Sequence, residues 1–368
     1  MTFYDELHKY DYQQVVASFD TITEEDVLRA IATPNPTVED FKALISPKAV
    51  PFLDQIATRA NTLTIERFGR TIQLYLPLYL SNYCTNSCIY CGFNHENEIL
   101  RKKLSLEEID EEIEAIKKLG FKHLLIVAGE HPRIAGIDYY CEVIQRLRPH
   151  FAQISIEVQP LREEEYRKLV AAGVSCVCVY QETYNEESYP TYHPRGLKAN
   201  FRYRLETPDR AASAGIKKIG IGALLGLDNW FADAFFTAVH LKYLEKNYWK
   251  SKYSISLPRL RPHVGSYMPQ RPITDKEMAQ LICAFRILSP QVEISLSTRE
   301  SAPFRDMAMR IGVNTMSAGS STQPGGYAHP NRELEQFSIN DNRTPQEMQQ
   351  AIIDNGYEPV WKDWDLWI

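Results

Sequence analysis

The chain lacks a basic segment followed by an apolar stretch at its N-terminus, and it has no apolar run of membrane-spanning length. Neither a leader nor a membrane anchor is therefore expected, and the reading is a cytoplasmic protein. Blocks of like charge are missing too. Lys and Arg total 41 against 47 Asp and Glu, a net charge of -6, so there is no electrostatic footprint for nucleic acid or an anionic membrane surface, and small metabolites are the expected ligands. Internal repeats and low-complexity tracts are absent, which excludes solenoids and long disordered segments. What remains is 368 residues, 44% of them hydrophobic, enough for one large domain or two average ones with a sizeable core.

Cysteine is scarce but unevenly placed. An odd total of seven, three of them within one octapeptide, is no secreted disulfide framework. The octapeptide is Cys84-Thr85-Asn86-Ser87-Cys88-Ile89-Tyr90-Cys91. Thiolates at this spacing select zinc or iron-sulfur, and a closed zinc site wants a fourth protein ligand nearby, for which only His95 is available. A tetrathiolate ferredoxin pattern needs a fourth cysteine, yet the next is Cys141, far along the chain. Three thiolates on a cubic cluster leave one iron open, and a small molecule can bind there. The spacing, with Tyr90 just before the last cysteine, resembles the signature of radical S-adenosylmethionine (SAM) enzymes, in which SAM chelates that open iron of a 4Fe-4S cluster. The other cysteines read as buried, inert thiols: Cys176 and Cys178 on one face of a strand, Cys141 and Cys283 within apolar helical patterns.

Alternating strand and helix patterns begin near Thr71. Strands are expected at 71–80, 122–128, 153–158, 174–180, 217–224, 253–257, 291–297 and 313–318. Ser105 and Glu108 form a capping box for a helix with an apolar stripe at Leu106, Ile109, Ile113, Ile116 and Leu119, stopped by Gly120. Further helices are expected to begin near Ile137, Leu161, Tyr203, Trp230, Thr274 and Glu300, each able to carry the chain back over a parallel sheet. Eight such units predict an α/β fold, a (β/α)8 TIM-type barrel. A doubly wound sheet is the alternative, but no glycine-rich dinucleotide fingerprint follows the first strand. Residues 1–70 are expected to be a helical N-terminal extension, 71–330 the barrel, and 331–368 a C-terminal extension whose Trp361, Trp364 and Trp367 pack on it.

In a parallel barrel, reactive groups gather where strands end and loops begin. Polar residues recur at those positions: Gly129 and Glu130, Glu157 and Gln159, Gln181 to Thr183, Arg259 and Arg261, Ser297 to Arg299, and Ser317, Gly319 and Ser320. SAM presents a zwitterionic methionine, a ribose and an adenine. Gly129 allows close backbone approach, Glu182 suits the ribose or amino group, and Arg204 suits the carboxylate through a bidentate fork. Arg299, a lone cation flanked by hydroxyls, is the candidate for a substrate carboxylate, with Ser317 and Ser320 beside it. His263, Tyr267 and His329 are possible proton acceptors, a role left open.

Longer segments match one family. Leu78-Tyr79-Leu80-Ser81-Asn82, Glu157-Val158-Gln159-Pro160, Tyr180-Gln181-Glu182-Thr183-Tyr184, Arg204-Leu205-Glu206-Thr207-Pro208-Asp209-Arg210, Ser297-Thr298-Arg299-Glu300-Ser301 and Gln323-Pro324-Gly325-Gly326-Tyr327 resemble the tyrosine lyases of thiamine biosynthesis, the 2-iminoacetate synthases. The likeness runs over nearly the whole chain. It implies SAM-dependent cleavage of the Cα–Cβ bond of L-tyrosine to p-cresol and 2-iminoacetate, with SAM split to methionine and 5'-deoxyadenosine. It also implies a reduced flavodoxin or ferredoxin as electron donor and a thiazole synthase partner that takes up the product. The tyrosine lyase of hydrogenase maturation carries further cysteines in a C-terminal extension, whereas no cysteine follows Cys283 here. A tryptophan lyase would share the SAM-binding segments and is the second reading; a non-catalytic metal-binding scaffold is the alternative of a different class.

Overall fold

The computed structural model describes residues 2–261, 263, 267–269 and 271–363. Eight parallel strands close a barrel: β1 (Thr71–Ser81), β2 (His123–Ala128), β3 (Gln153–Glu157), β4 (Cys176–Cys178), β5 (Lys218–Ile221), β6 (Lys252–Ser256), β7 (Glu293–Leu296) and β8 (Thr315–Ser317). Each pairs with its sequence neighbour, and β1 meets both β2 and β8 to complete the ring. Every strand anticipated from the periodicity is present, though several are shorter than expected. The chain beyond a ladder nonetheless stays in register. After β4, Val179 N donates to Gly220 O at 2.9 Å and Gln181 N to Gly222 O at 3.1 Å, so the line of the strand carries Glu182 to the barrel rim.

A ninth strand, β9 (Glu358–Val360), lies parallel to the start of β1, beside Thr71–Gln73. Three residues with a central proline carry no alternation, and Pro359 fits only because this is an edge. Trp361 follows and packs edge-on to Phe121 at 5.1 Å between ring centres. Trp364 and Trp367 lie outside the described residues.

The helices obey local rules. Ser105 Oγ accepts from Glu108 N while Glu108 returns to Ser105 N at 2.8 Å, Ile109, Ile113 and Ile116 are buried, and Gly120 ends the helix Leu106–Leu119 at φ +88°. Near Tyr203, two short helices stand, Phe201–Leu205 and Thr207–Ser213. Pro208 lacks the N–H that an unbroken helix would use there. Residues 3–68 are largely helical and pack on the outside of the barrel helices. The helix Asp275–Leu288, caught between the barrel and the helices Val38–Ile45 and Leu53–Phe68, is consequently buried along most of its length. Among the described residues no helix is long and apolar enough to cross a membrane.

Candidate active site

The cysteine loop leaves the C-terminal end of β1 and is held by one cation. Arg101 donates to the carbonyls of Asn82 (2.7 Å), Phe93 (3.0 Å), Asn94 (2.6 Å) and Asn97 (3.2 Å), gathering both ends of the loop. Asn86, inside the octapeptide, donates to Glu130 at 2.8 Å and accepts from Lys198 N at 2.9 Å, so the loop is pinned both to the end of β2 and to the short 3-10 helix Leu197–Ala199 that follows β4. At the end of β2, a Cβ on Gly129 would stand 2.4 Å from Tyr83 O, so only glycine lets that strand end approach the loop so closely. The thiols of Cys84, Cys88 and Cys91 face one cavity at the barrel mouth. His95 turns its exposed ring toward the Cys84 carbonyl (3.2 Å), and no group of three His, Cys, Asp or Glu side chains among the described residues could hold a lone metal ion. Burial pushes the Cys84 thiol up to about 11 and the Cys88 thiol higher, so a cationic centre such as cluster iron is needed to make them thiolates at neutral pH. Three such thiols around a cavity rather than a point suit a cluster.

Opposite the loop lies a balanced set of charges. Arg204 donates to Glu130 at 2.8 Å and through Nε to Tyr180 O at 2.7 Å, with Glu182 at 3.8 Å. Glu182 is paired with Lys198. All four side chains are nearly inaccessible, and opposite charges in contact offset the desolvation that an isolated one would suffer. Glu182 has φ +73°, the one non-glycine residue in that region among the described residues, held there by Leu224 N donating to its carbonyl at 2.9 Å. Strain of this kind is kept where a site over-determines it. Tyr90 forms the adjoining wall. Its hydroxyl donates to His193 Nε2 at 2.8 Å, and His193 Nδ1 donates to Tyr189 O at 3.0 Å; burial pulls that imidazole down to about 2, so it stays neutral.

The third side of the cavity holds the substrate candidates. Arg299 lies over the Phe337 ring with its guanidinium carbon 3.5 Å from the ring centre and makes no ion pair with a described residue. Its neighbour Glu300 pairs instead with Arg259. Ser317 Oγ accepts from Thr298 N at 3.2 Å, whereas the Ser320 hydroxyl is buried without a partner. Glu157, at the end of β3, is pushed up to about 7 by burial and by Glu182, against the pull of Arg299, Lys198 and Arg204.

Every residue singled out as a cysteine ligand, cofactor contact or substrate contact thus lines this cavity. Of the other strand-end residues, Arg261, Ser297 and Thr298 line it too, whereas Gln159, Gln181, Thr183, Arg259 and Gly319 do not. Gln159 binds Tyr140 and Ala135 behind the wall, Thr183 donates to Asp233 at 2.9 Å, and Arg259 is engaged with Glu300 and Asp275. Of the open proton acceptors, His263 reaches the cavity with Nε2 buried and unpartnered, Tyr267 donates to Leu227 O at 3.2 Å, and His329 pairs with Glu111 at the surface. Sequence reasoning missed Lys198, Arg101, Gln336 and Phe337. Their only signal is proximity to other motif residues, because each is brought in by tertiary closure.

The family models divide the chain in two: residues 78–235 match the radical SAM superfamily, and residues 256–358 the biotin and thiamin synthesis associated domain. Over 368 residues the chain is 48% identical to 2-iminoacetate synthase of Salmonella typhimurium, covering 100% of this chain and 98% of that one. The chain belongs to the 2-iminoacetate synthase family. The Escherichia coli member is likewise 48% identical, with the same coverage. Outside the 2-iminoacetate synthases, the crystal structure of HydG, a maturase of the FeFe-hydrogenase, superimposes with a TM-score of 0.91 at 32% identity, covering 95% of this chain and 79% of that one.

Proposed function

We propose that the protein cleaves the Cα–Cβ bond of L-tyrosine to 2-iminoacetate and p-cresol, splitting SAM to 5'-deoxyadenosine and methionine, and so supplies the thiazole branch of thiamine biosynthesis. One observation carries this reading: three thiols face Arg299, which has no ion-pair partner among the described residues, across one cavity at the barrel mouth. Membership of the 2-iminoacetate synthase family supports it.

In this reading Cys84, Cys88 and Cys91 would hold a 4Fe-4S cluster, and SAM would bind beside it at the cavity. When bound, cluster and SAM supply a 5'-deoxyadenosyl radical, the agent that removes hydrogen from the substrate. The protein's own groups bind and exclude. Arg204 and Glu130 meet the carboxylate and amino ends of the methionine moiety, and Glu182, presented by its strained backbone, takes the ribose hydroxyls. Gly129, Tyr90 and Glu157 complete that wall. Arg299 binds the tyrosine carboxylate, assisted by the hydroxyls of Ser317 and the unpartnered Ser320. The Phe337 ring fixes the guanidinium plane, which keeps the substrate in one orientation and water out of the reacting volume.

A reduced flavodoxin or ferredoxin would deliver the electron, a thiazole synthase would take the labile imine, and the cytoplasm is the expected compartment. Residues 1–70 and 331–368 serve as extensions on a catalytic barrel of residues 71–330. The test is direct: anaerobically reconstituted protein is incubated with reductant, SAM and either tyrosine or tryptophan. p-Cresol with 5'-deoxyadenosine from tyrosine is the expected outcome. 5'-Deoxyadenosine without p-cresol would redirect the assignment to another aromatic amino acid.

A further inference from the structure

Gln336 stands far from the cysteine loop in sequence and touches it at two points. Its backbone carbonyl lies against Gly92, where a Cβ would stand 2.1 Å from the oxygen, so the residue after Cys91 has to be glycine for the contact to exist. Its side-chain Nε2 lies 3.7 Å from Cys91 Sγ, within range of an N–H···S hydrogen bond, and its Oε1 accepts from Tyr79 OH at 2.9 Å. Gln336 N donates to Thr322 O at 3.0 Å, which locks the backbone. The amide can face the sulfur in one sense only. A phenol can donate or accept, so Tyr79 tolerates either orientation, whereas a thiolate only accepts.

We infer that Gln336 is a positioning residue that raises the reduction potential of the cluster by donating a hydrogen bond to the Cys91 sulfur. A donor aimed at a ligating sulfur stabilises the more negative, one-electron-reduced state more than the oxidised one, and such bonds are among the levers by which proteins set iron-sulfur potentials. Gln336 meets this sulfur set through its side chain, whereas Asn86 and Glu130 reach Cys84 through their backbones. The Asn86 donor is a backbone N–H, 3.5 Å from Cys84 Sγ, which substitution leaves in place. The Gln336 donor is a side chain that substitution removes. This inference rests on the cluster assignment proposed above.

The experiment is an EPR-monitored redox titration of the full-length, anaerobically reconstituted protein, with iron and acid-labile sulfide measured on the same samples. Gln336→Met keeps the length of the side chain and removes the donor. It should retain iron and sulfide but favour the oxidised state by about tenfold, the scale of one hydrogen bond to a charged group. For a one-electron couple that is a midpoint about 59 mV lower. An intact cluster with the wild-type midpoint overturns the inference and leaves the functional reading standing. Absence of labile sulfide from the wild-type protein overturns both. Should Gln336→Met fail to assemble a cluster, Tyr79→Phe decides: it releases the amide oxygen while keeping the donor, and a smaller shift in the same direction is expected, an unchanged midpoint being the contrary result.

Discussion

Arg299 has no carboxylate partner among the described residues, and a cation so placed beside the cavity is poised for an anionic ligand. Replacing it by glutamine should weaken tyrosine binding by about 2 to 5 kcal/mol, since the substrate carboxylate would then be buried unpaired. Calorimetry in the SAM-bound protein measures this, and unchanged affinity removes Arg299 from the site. Lys198 is a second residue whose loss is informative. Lys198→Met strands a Glu182 carboxylate that is held in left-handed backbone geometry and left with Arg204 at 3.8 Å. Such a change should cost roughly 3 kcal/mol of stability, and a wild-type unfolding free energy would show the pair to be dispensable. At this scale the sequence is legible where chemistry is local. The cysteine triplet, Glu182 and Arg299 each follow from a motif or a strand end, whereas Lys198 and Gln336 reach the cavity only through loops whose path no periodicity encodes.

Among the elements, the N-terminal helices are fastened to the barrel by packing that acid should loosen. Phe3 stacks on His240 at 3.7 Å, and Tyr184 OH meets His240 Nδ1 at 3.0 Å. Burial pulls the His240 imidazole down from 6.5 to about 3. Between those values the unfolded chain takes up a proton that the folded one refuses, so stability is complete above about 6.5 and is lost as pH falls toward 3. His123 and His193 are shifted in the same direction. His240→Gln should therefore shallow, without abolishing, the fall in thermal midpoint between pH 6.5 and pH 4; an identical slope would locate the acid sensitivity elsewhere. The elements that periodicity reveals are those long enough to bury a stripe, such as Leu106–Leu119 with its capping box. β9 is hidden because three residues around Pro359 have neither alternation nor a cap, and only the exposed flank of β1 makes them a strand.

Over the whole molecule, the closed barrel matters because it converts residues spread from Tyr75 to Phe337 into one lined volume with different duties on its walls: thiols, a compensated charge set, and a cation with no ion-pair partner among the described residues. Strand count and alternation announce the barrel, and barrel geometry then tells which loop residues converge. The closing segment that carries Gln336 and Phe337 onto the mouth is a tertiary event. The claim beneath all of this is that Cys84, Cys88 and Cys91 are the complete protein ligand set of a cubane with one iron left for SAM. Mössbauer spectra of iron-57-loaded, oxygen-protected protein, recorded before and after SAM is added, test it most directly. The account predicts four irons per chain with one iron site altered by SAM; a lone zinc or iron ion on those sulfurs, or four iron sites indifferent to SAM, would contradict it.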